Sequence, residues 1–160
     1  MNDRAMYIMI GVIGSGKSTW ATAMAERDTN ISIVSRDSIR EMLNGTYHFI
    51  PDLERLVEYI NRDAMFRVLM SGRSLIVDEC NVTKKNRAEL VNWARQRFYG
   101  IKIVGVYCPS RNGNVDRRME SPRGYSRDLW QSVFDRMISQ FEPPTVDEFD
   151  ELIGVNRELE

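Results

Sequence analysis

Two periods of hydrophobic residues alternate along the chain. Met6–Val12 is an almost unbroken apolar run rich in isoleucine, the pattern of a strand covered on both faces by other layers. Similar runs recur at Ile31–Val34, Leu75–Val77 and Ile101–Tyr107, with a weaker one at Leu152–Val155. Between them, apolar residues return every three or four positions. Lys17–Arg27 is one such stretch, and Leu53, Leu56, Val57, Ile60, Ala64 and Val68 mark a second. Ala88, Val91, Ala94 and Phe98 mark a third, and Trp130, Val133, Phe134, Met137 and Phe141 a fourth. This alternation predicts an α/β fold of three layers, a doubly wound parallel sheet with helices on both faces. The aromatic and methionine stripes on the helices read as core. Pro143 and Pro144 end a helix and not a domain, so one domain is expected over residues 1–160.

Composition narrows the picture. At 160 residues with 42% apolar and 28% charged residues, the chain is an ordinary globular one able to bury a core. A net charge of -1 excludes a strongly basic coat for nucleic acid, so a polynucleotide would be gripped by a local cationic groove. Cys80 and Cys108 lack metal-ligand or Cys-x-x-Cys spacing and read as reduced thiols, and the lone His48 cannot build a metal cluster. The apolar stretch near the N-terminus breaks at Gly11, too short to span a membrane and without a signal-peptide layout. A cytoplasmic protein with no membrane partner is the expectation.

The strongest chemical signal follows the first strand. Gly11-Val12-Ile13-Gly14-Ser15-Gly16-Lys17-Ser18 fits G-x-x-x-x-G-K-[ST], between a buried strand and a helix. Its glycines allow a tight turn whose N–H groups converge, and the next helix turns its positive end to the same place. A polyphosphate suits that cradle. Ile13, Gly14, Ser15, Gly16, Lys17, Ser18 and Thr19 are the expected ATP (or GTP) contacts, with Lys17 reaching the β- and γ-phosphates and Ser18 ligating Mg2+.

In an open parallel sheet, ligands lie beyond the carboxyl ends of the strands. Ser35-Arg36-Asp37-Ser38-Ile39-Arg40 follows the second strand there, and Asp78-Glu79-Cys80-Asn81 the third. Phosphoryl transfer to an alcohol needs a carboxylate beside the attacking hydroxyl and cations around the moving group. Asp37 and Arg40, at i and i+3, can supply both from one helix face. The same segment also reads as plain helix capping, with Ser38-x-x-Glu41 as a capping box and Asp37 favouring the helix start. Asp78 is either a partner of Mg2+ through water or a polar end to a buried strand. The arginines between Arg111 and Arg127 suit a lid at about 111–127, or a solvated charged loop.

The run from Gly14 to Trp20 and the later Ser35-Arg36-Asp37-x-x-Arg40 closely resemble the 5′-kinase domain of phage-type polynucleotide kinases, within the P-loop kinase group. The resemblance extends more loosely through Asp78-Glu79-Cys80-Asn81 and Arg123-Gly124. It implies a P-loop kinase fold with a small lid, and transfer of the γ-phosphate of ATP to a nucleic-acid 5′ end, as in nucleic acid repair. It implies Asp37 as general base, Arg40 as holder of the acceptor's 3′-phosphate, and Arg123 as stabiliser of the transferring phosphoryl group. Lys17 joins them in catalysis, Ser18 and Asp37 serve the magnesium ion, and Asp78 or Glu79 orients Arg40 at the acceptor site. Cys80 stands where that family commonly has threonine, and the alignment needs a gap around Arg117 and Arg118, which leaves those two unassigned. No phosphatase motif of the Asp-x-Asp-Gly-Thr type is present. A kinase for a small acceptor and a non-catalytic or ATPase-type nucleotide module are the alternatives, and a homo-oligomer is compatible with all three.

Overall fold

The computed structural model describes residues 4–120 and 125–155. Its elements run β1 (Ala5–Ile10), α1 (Lys17–Arg27), β2 (Ile31–Val34), α2 (Arg36–Asn44), α3 (Pro51–Met70), β3 (Ser74–Val77), α4 (Lys84–Arg97), β4 (Lys102–Tyr107), α5 (Asn114–Met119), α6 (Arg127–Gln140) and β5 (Glu151–Gly154). A short 3-10 turn, Val146–Glu148, precedes β5. The strands make one parallel sheet in the order β2-β3-β1-β4-β5. It grows outward from β1 in both directions, so a crevice opens beyond the carboxyl end of β1. The glycine loop begins there.

Alternate residues of β1 feed two cores. Met6, Ile8 and Ile10 join Leu75, Val77 and Ile103 under α3 and α4, where Met65, Leu69, Leu90 and Ala94 close the layer. Met9 joins Ile76, Val104 and Val106 on the other face, covered by Ala21 and the partly buried Trp20 and Met24 of α1. The expected three-layer α/β arrangement is therefore present. A third cluster, Ile13 with Val115 and Trp130, ties the glycine loop to α5 and α6 beyond the sheet.

One local reading needs correction. The cap of α2 is Ser35, whose hydroxyl accepts the Ser38 N–H at 3.4 Å, so Ser38-x-x-Glu41 is not the capping box. Ser35 leaves the strand in extended conformation and meets the free N–H three residues on. Residues 114–119, within the stretch expected to form a lid or loop, are helical, starting after Gly113 with φ of 80°. No helix among the described residues is long and apolar enough to cross a membrane.

Arg87 is wholly buried, an arrangement no periodicity foretells. Its Nε and one terminal nitrogen donate to Glu148 at 2.6 and 3.1 Å, and the other donates to the Asn81 carbonyl at 3.1 Å. The pair links α4 to the turn before β5 and to the loop that follows β3. Burial alone would raise the Glu148 carboxyl, but Arg87 and the Thr145 N–H bring it below its ordinary value.

Candidate active site

The glycine loop is shaped by close approaches. Gly14 has φ of 67°, and a methyl there would lie 2.0 Å from the Asn114 carbonyl oxygen, so only glycine lets α5 pack against the loop. Asn114 is buried and donates to the Ile13 carbonyl at 2.8 Å, while Arg117 donates to the Gly14 carbonyl at 2.9 Å. These two residues, unassigned or unremarked in the sequence, tie down two carbonyls of the loop. No side chain caps the start of α1 at Gly16. Its first-turn N–H groups are the kind of donor array that takes a phosphate.

Lys17 is 8% exposed and its Nζ donates to the Val12 carbonyl at 2.8 Å, folding back across the cradle. Ser15 Oγ is buried without a hydrogen-bond partner. Ser18 and Thr19 are exposed on the first turn of α1 and line the cleft.

Ser18 Oγ donates to Asp78 Oδ2 at 2.7 Å. This brings two hard oxygen donors together at the lip of the cradle, the set that Mg2+ takes along with nucleotide phosphate and water. The residues fit the ion. Burial pushes the Asp78 carboxyl above its ordinary range, opposed by the Ser18 bond and the charge of Lys17. Asp37, the other expected magnesium partner, accepts from Arg40, and Asp78 stands beside the Ser18 hydroxyl. Asn81 fixes the Asp78 loop: it adopts φ of 46°, and its amide donates to the Met9 carbonyl at 2.8 Å, while Gly11 N–H donates to Cys80 O at 2.9 Å.

On the opposite side, Asp37 sits in the first turn of α2, its side chain 51% exposed. Arg40 Nη1 donates to Asp37 Oδ1 at 2.8 Å. Arg40 Nε and Nη2 donate to the two oxygens of Glu54 on α3, at 2.7 and 2.8 Å. Glu54 and Asp37 are thus the carboxylates bonded to Arg40, while Asp78 is bonded to Ser18. Glu79 is held by Asn61 at 3.3 Å and Arg36 at 3.2 Å. Burial raises its pKa.

The cleft that these residues share measures about 1380 Å³, with Lys17, Ser18, Asp37, Arg40, Asp78 and Arg118 in its wall. Arg118 lies between the Tyr47 ring at 4.9 Å and the Trp130 ring at 4.3 Å. Arg123, the lid arginine implied by resemblance, lies outside the described residues. Cys80 borders the cleft, and burial pushes its thiol up, away from thiolate chemistry.

No curated protein matches the chain. Among solved structures, the Pnkp1/Rnl/Hen1 RNA repair complex contains a chain with a TM-score of 0.70 at 18% identity, matched over 89% of this chain and 47% of that one. This chain thus spans about half the length of that relative. A fungal RNA kinase matches at TM-score 0.65 and 15% identity, over 100% of this chain and 79% of that one. A gluconokinase from Sinorhizobium meliloti 1021 matches at TM-score 0.57 and 19% identity, over 100% and 86%. At such identities these likenesses establish a common α/β P-loop kinase-like fold. Residues 6–144 also match the nucleotide-binding AAA domain family AAA_33, and the chain belongs to it.

Proposed function

We propose that this protein transfers the γ-phosphoryl group of ATP, or of GTP, to the 5′-hydroxyl of a nucleic acid. The observation that carries the reading is the half-exposed Asp37 carboxylate, tied to Arg40 at 2.8 Å and opening on the cleft shared with Lys17 and Ser18. A carboxylate so exposed can align an acceptor hydroxyl and take its proton as the oxygen attacks phosphorus. Arg40 commits three of its five N–H donors to Glu54 and Asp37. Two remain for an acceptor phosphate, in a direction set by the Glu54 fork.

Lys17 and the loop N–H groups offset charge on the transferring group. Ser18 and Asp78 would hold Mg2+, whose contribution is to screen the β- and γ-phosphate oxygens. Arg123 is assigned to the same charge by resemblance to polynucleotide kinases. The fold shared with an RNA kinase and with a chain of an RNA repair complex supports a nucleic-acid acceptor and a place in end repair.

A small-molecule acceptor is the second reading, favoured by one observation. Two carboxylates, Glu54 and Asp37, already face the single Arg40 charge, a balance that an uncharged alcohol tolerates better than a phosphate does. Incubation with γ-labelled ATP and a 5′-hydroxyl oligonucleotide, and separately with sugars and nucleosides, decides between them. Label confined to the oligonucleotide supports the first reading, and label on the small alcohols alone sinks it.

A further inference from the structure

We infer that Phe49, flanked by Tyr47 and Tyr125, is a stacking shelf for a nucleobase of the acceptor strand, an inference that rests on the nucleic-acid reading above. Three ring residues, Tyr47, His48 and Phe49, occur in succession in the connection between α2 and α3. The neighbours of Phe49 are anchored across the cleft. Tyr47 packs under the Arg118 guanidinium, and His48 stacks on Tyr125 with ring centroids 5.2 Å apart and planes 15° from parallel.

The Phe49 backbone is anchored as well: its N–H donates to the Tyr125 hydroxyl at 3.2 Å, and α3 begins two residues later at Pro51. Yet Phe49 is 60% exposed. A ring so positioned and left uncovered is a preformed apolar face, which binds a flat partner without the cost of being ordered first.

The chemistry of the partner follows from the surroundings. Tyr47, Phe49 and Tyr125 line the same cleft as Asp37 and Arg40, together with the cations Arg36 and Arg62. Aromatic faces interleaved with cations suit bases carried on a phosphate backbone, since every base offers a π-face whatever its sequence. The cleft, about 1380 Å³, exceeds the roughly 300–1,000 Å³ usual for a site that takes one small ligand. It has room for a donor nucleotide and an acceptor nucleotide together.

The test compares a 5′-hydroxyl oligonucleotide with one of the same length whose two terminal nucleotides are abasic. Phe49→Ala should raise KM for the base-bearing acceptor about tenfold, equal to about 1.4 kcal/mol of lost stacking. It should leave the abasic acceptor's KM where the unaltered protein has it, and Phe49→Trp should restore tight use of the base-bearing strand. An equal rise for both acceptors, or no rise, overturns the shelf alone. Absence of transfer to either oligonucleotide by the unaltered protein overturns the nucleic-acid reading and the shelf with it.

Discussion

Arg40 and Glu54 meet at the α2–α3 junction through two parallel hydrogen bonds of 2.7 and 2.8 Å, and the third bond of Arg40 falls on Asp37. The fork makes the direction of the Asp37 carboxylate depend on a residue of the next helix. The bond from Arg40 holds the Glu54 carboxyl below its ordinary 4.5. A carboxyl lowered by folding contributes stability that is present in full above its unfolded value and is lost as pH falls through the folded one. Glu54→Gln should therefore cost about 2 kcal/mol near neutral pH. The gap in thermal midpoint from the unaltered protein should close well below pH 4.5. A gap that persists unchanged in acid would mean that the fork is not what stabilises the junction.

Ser35, and not Asp37, provides the side-chain cap of α2. Replacement of Asp37 should thus spare the fold and strike the chemistry. Asp37→Ala is expected to lower turnover by about 10² to 10⁴, the effect of removing a general base, while nucleotide affinity measured by calorimetry stays within about twofold, as for a group absent from the phosphate cradle. Turnover that survives intact would exclude this carboxylate as the base.

Gly14 tests the other half of the cleft. A side chain there meets the Asn114 backbone at 2.0 Å as well as an unfavourable φ of 67°, and backbone cannot swing aside. Gly14→Ala should displace α5 from the glycine loop and weaken nucleotide binding by more than about tenfold, that is, by over about 1.4 kcal/mol. Gly45→Ala is the control: it shares a positive φ of 72° but has open space around it, so only the strain of about 1–2 kcal/mol on stability is expected. Equal loss of nucleotide affinity in both variants would show that contact with Asn114 is immaterial.

The architecture and the position of the glycine loop between β1 and α1 were legible because they rest on local periodicity and on one contiguous motif. Among the described residues, all five strands and the four longer helices lie where the apolar spacing predicts them, with ends shifted by a few residues. Pairings across the chain were not legible. Nothing local distinguishes Glu54 from the other acids of α3 as the partner of Arg40, 14 residues away. Resemblance pointed to Asp78 or Glu79, which follow β3 and pair there with Ser18 and Arg36. Asn114 and Arg117 were hidden for a similar reason. Their target is a pair of loop carbonyls about 100 positions earlier, and a carbonyl leaves no trace in the side-chain pattern.

Arg87 and Glu148 lie 61 positions apart and meet with 1% and 11% side-chain exposure. Removing one member of a buried ion pair leaves the other's charge stranded, typically at about 3–5 kcal/mol, whereas replacing both by apolar groups of similar size is often close to neutral. Arg87→Ala should therefore lower the urea midpoint severely, and the Arg87→Met, Glu148→Leu double variant should recover most of the loss. Nucleotide affinity should not recover in step. Arg87 also donates to the Asn81 carbonyl, and Asn81 holds the Met9 carbonyl at the mouth of the glycine loop. In the double variant that donor is still missing, so the KM for ATP should remain several-fold high while the denaturation midpoint returns. Parallel recovery of both quantities would reduce the pair to a stabilising contact with no hold on the cradle.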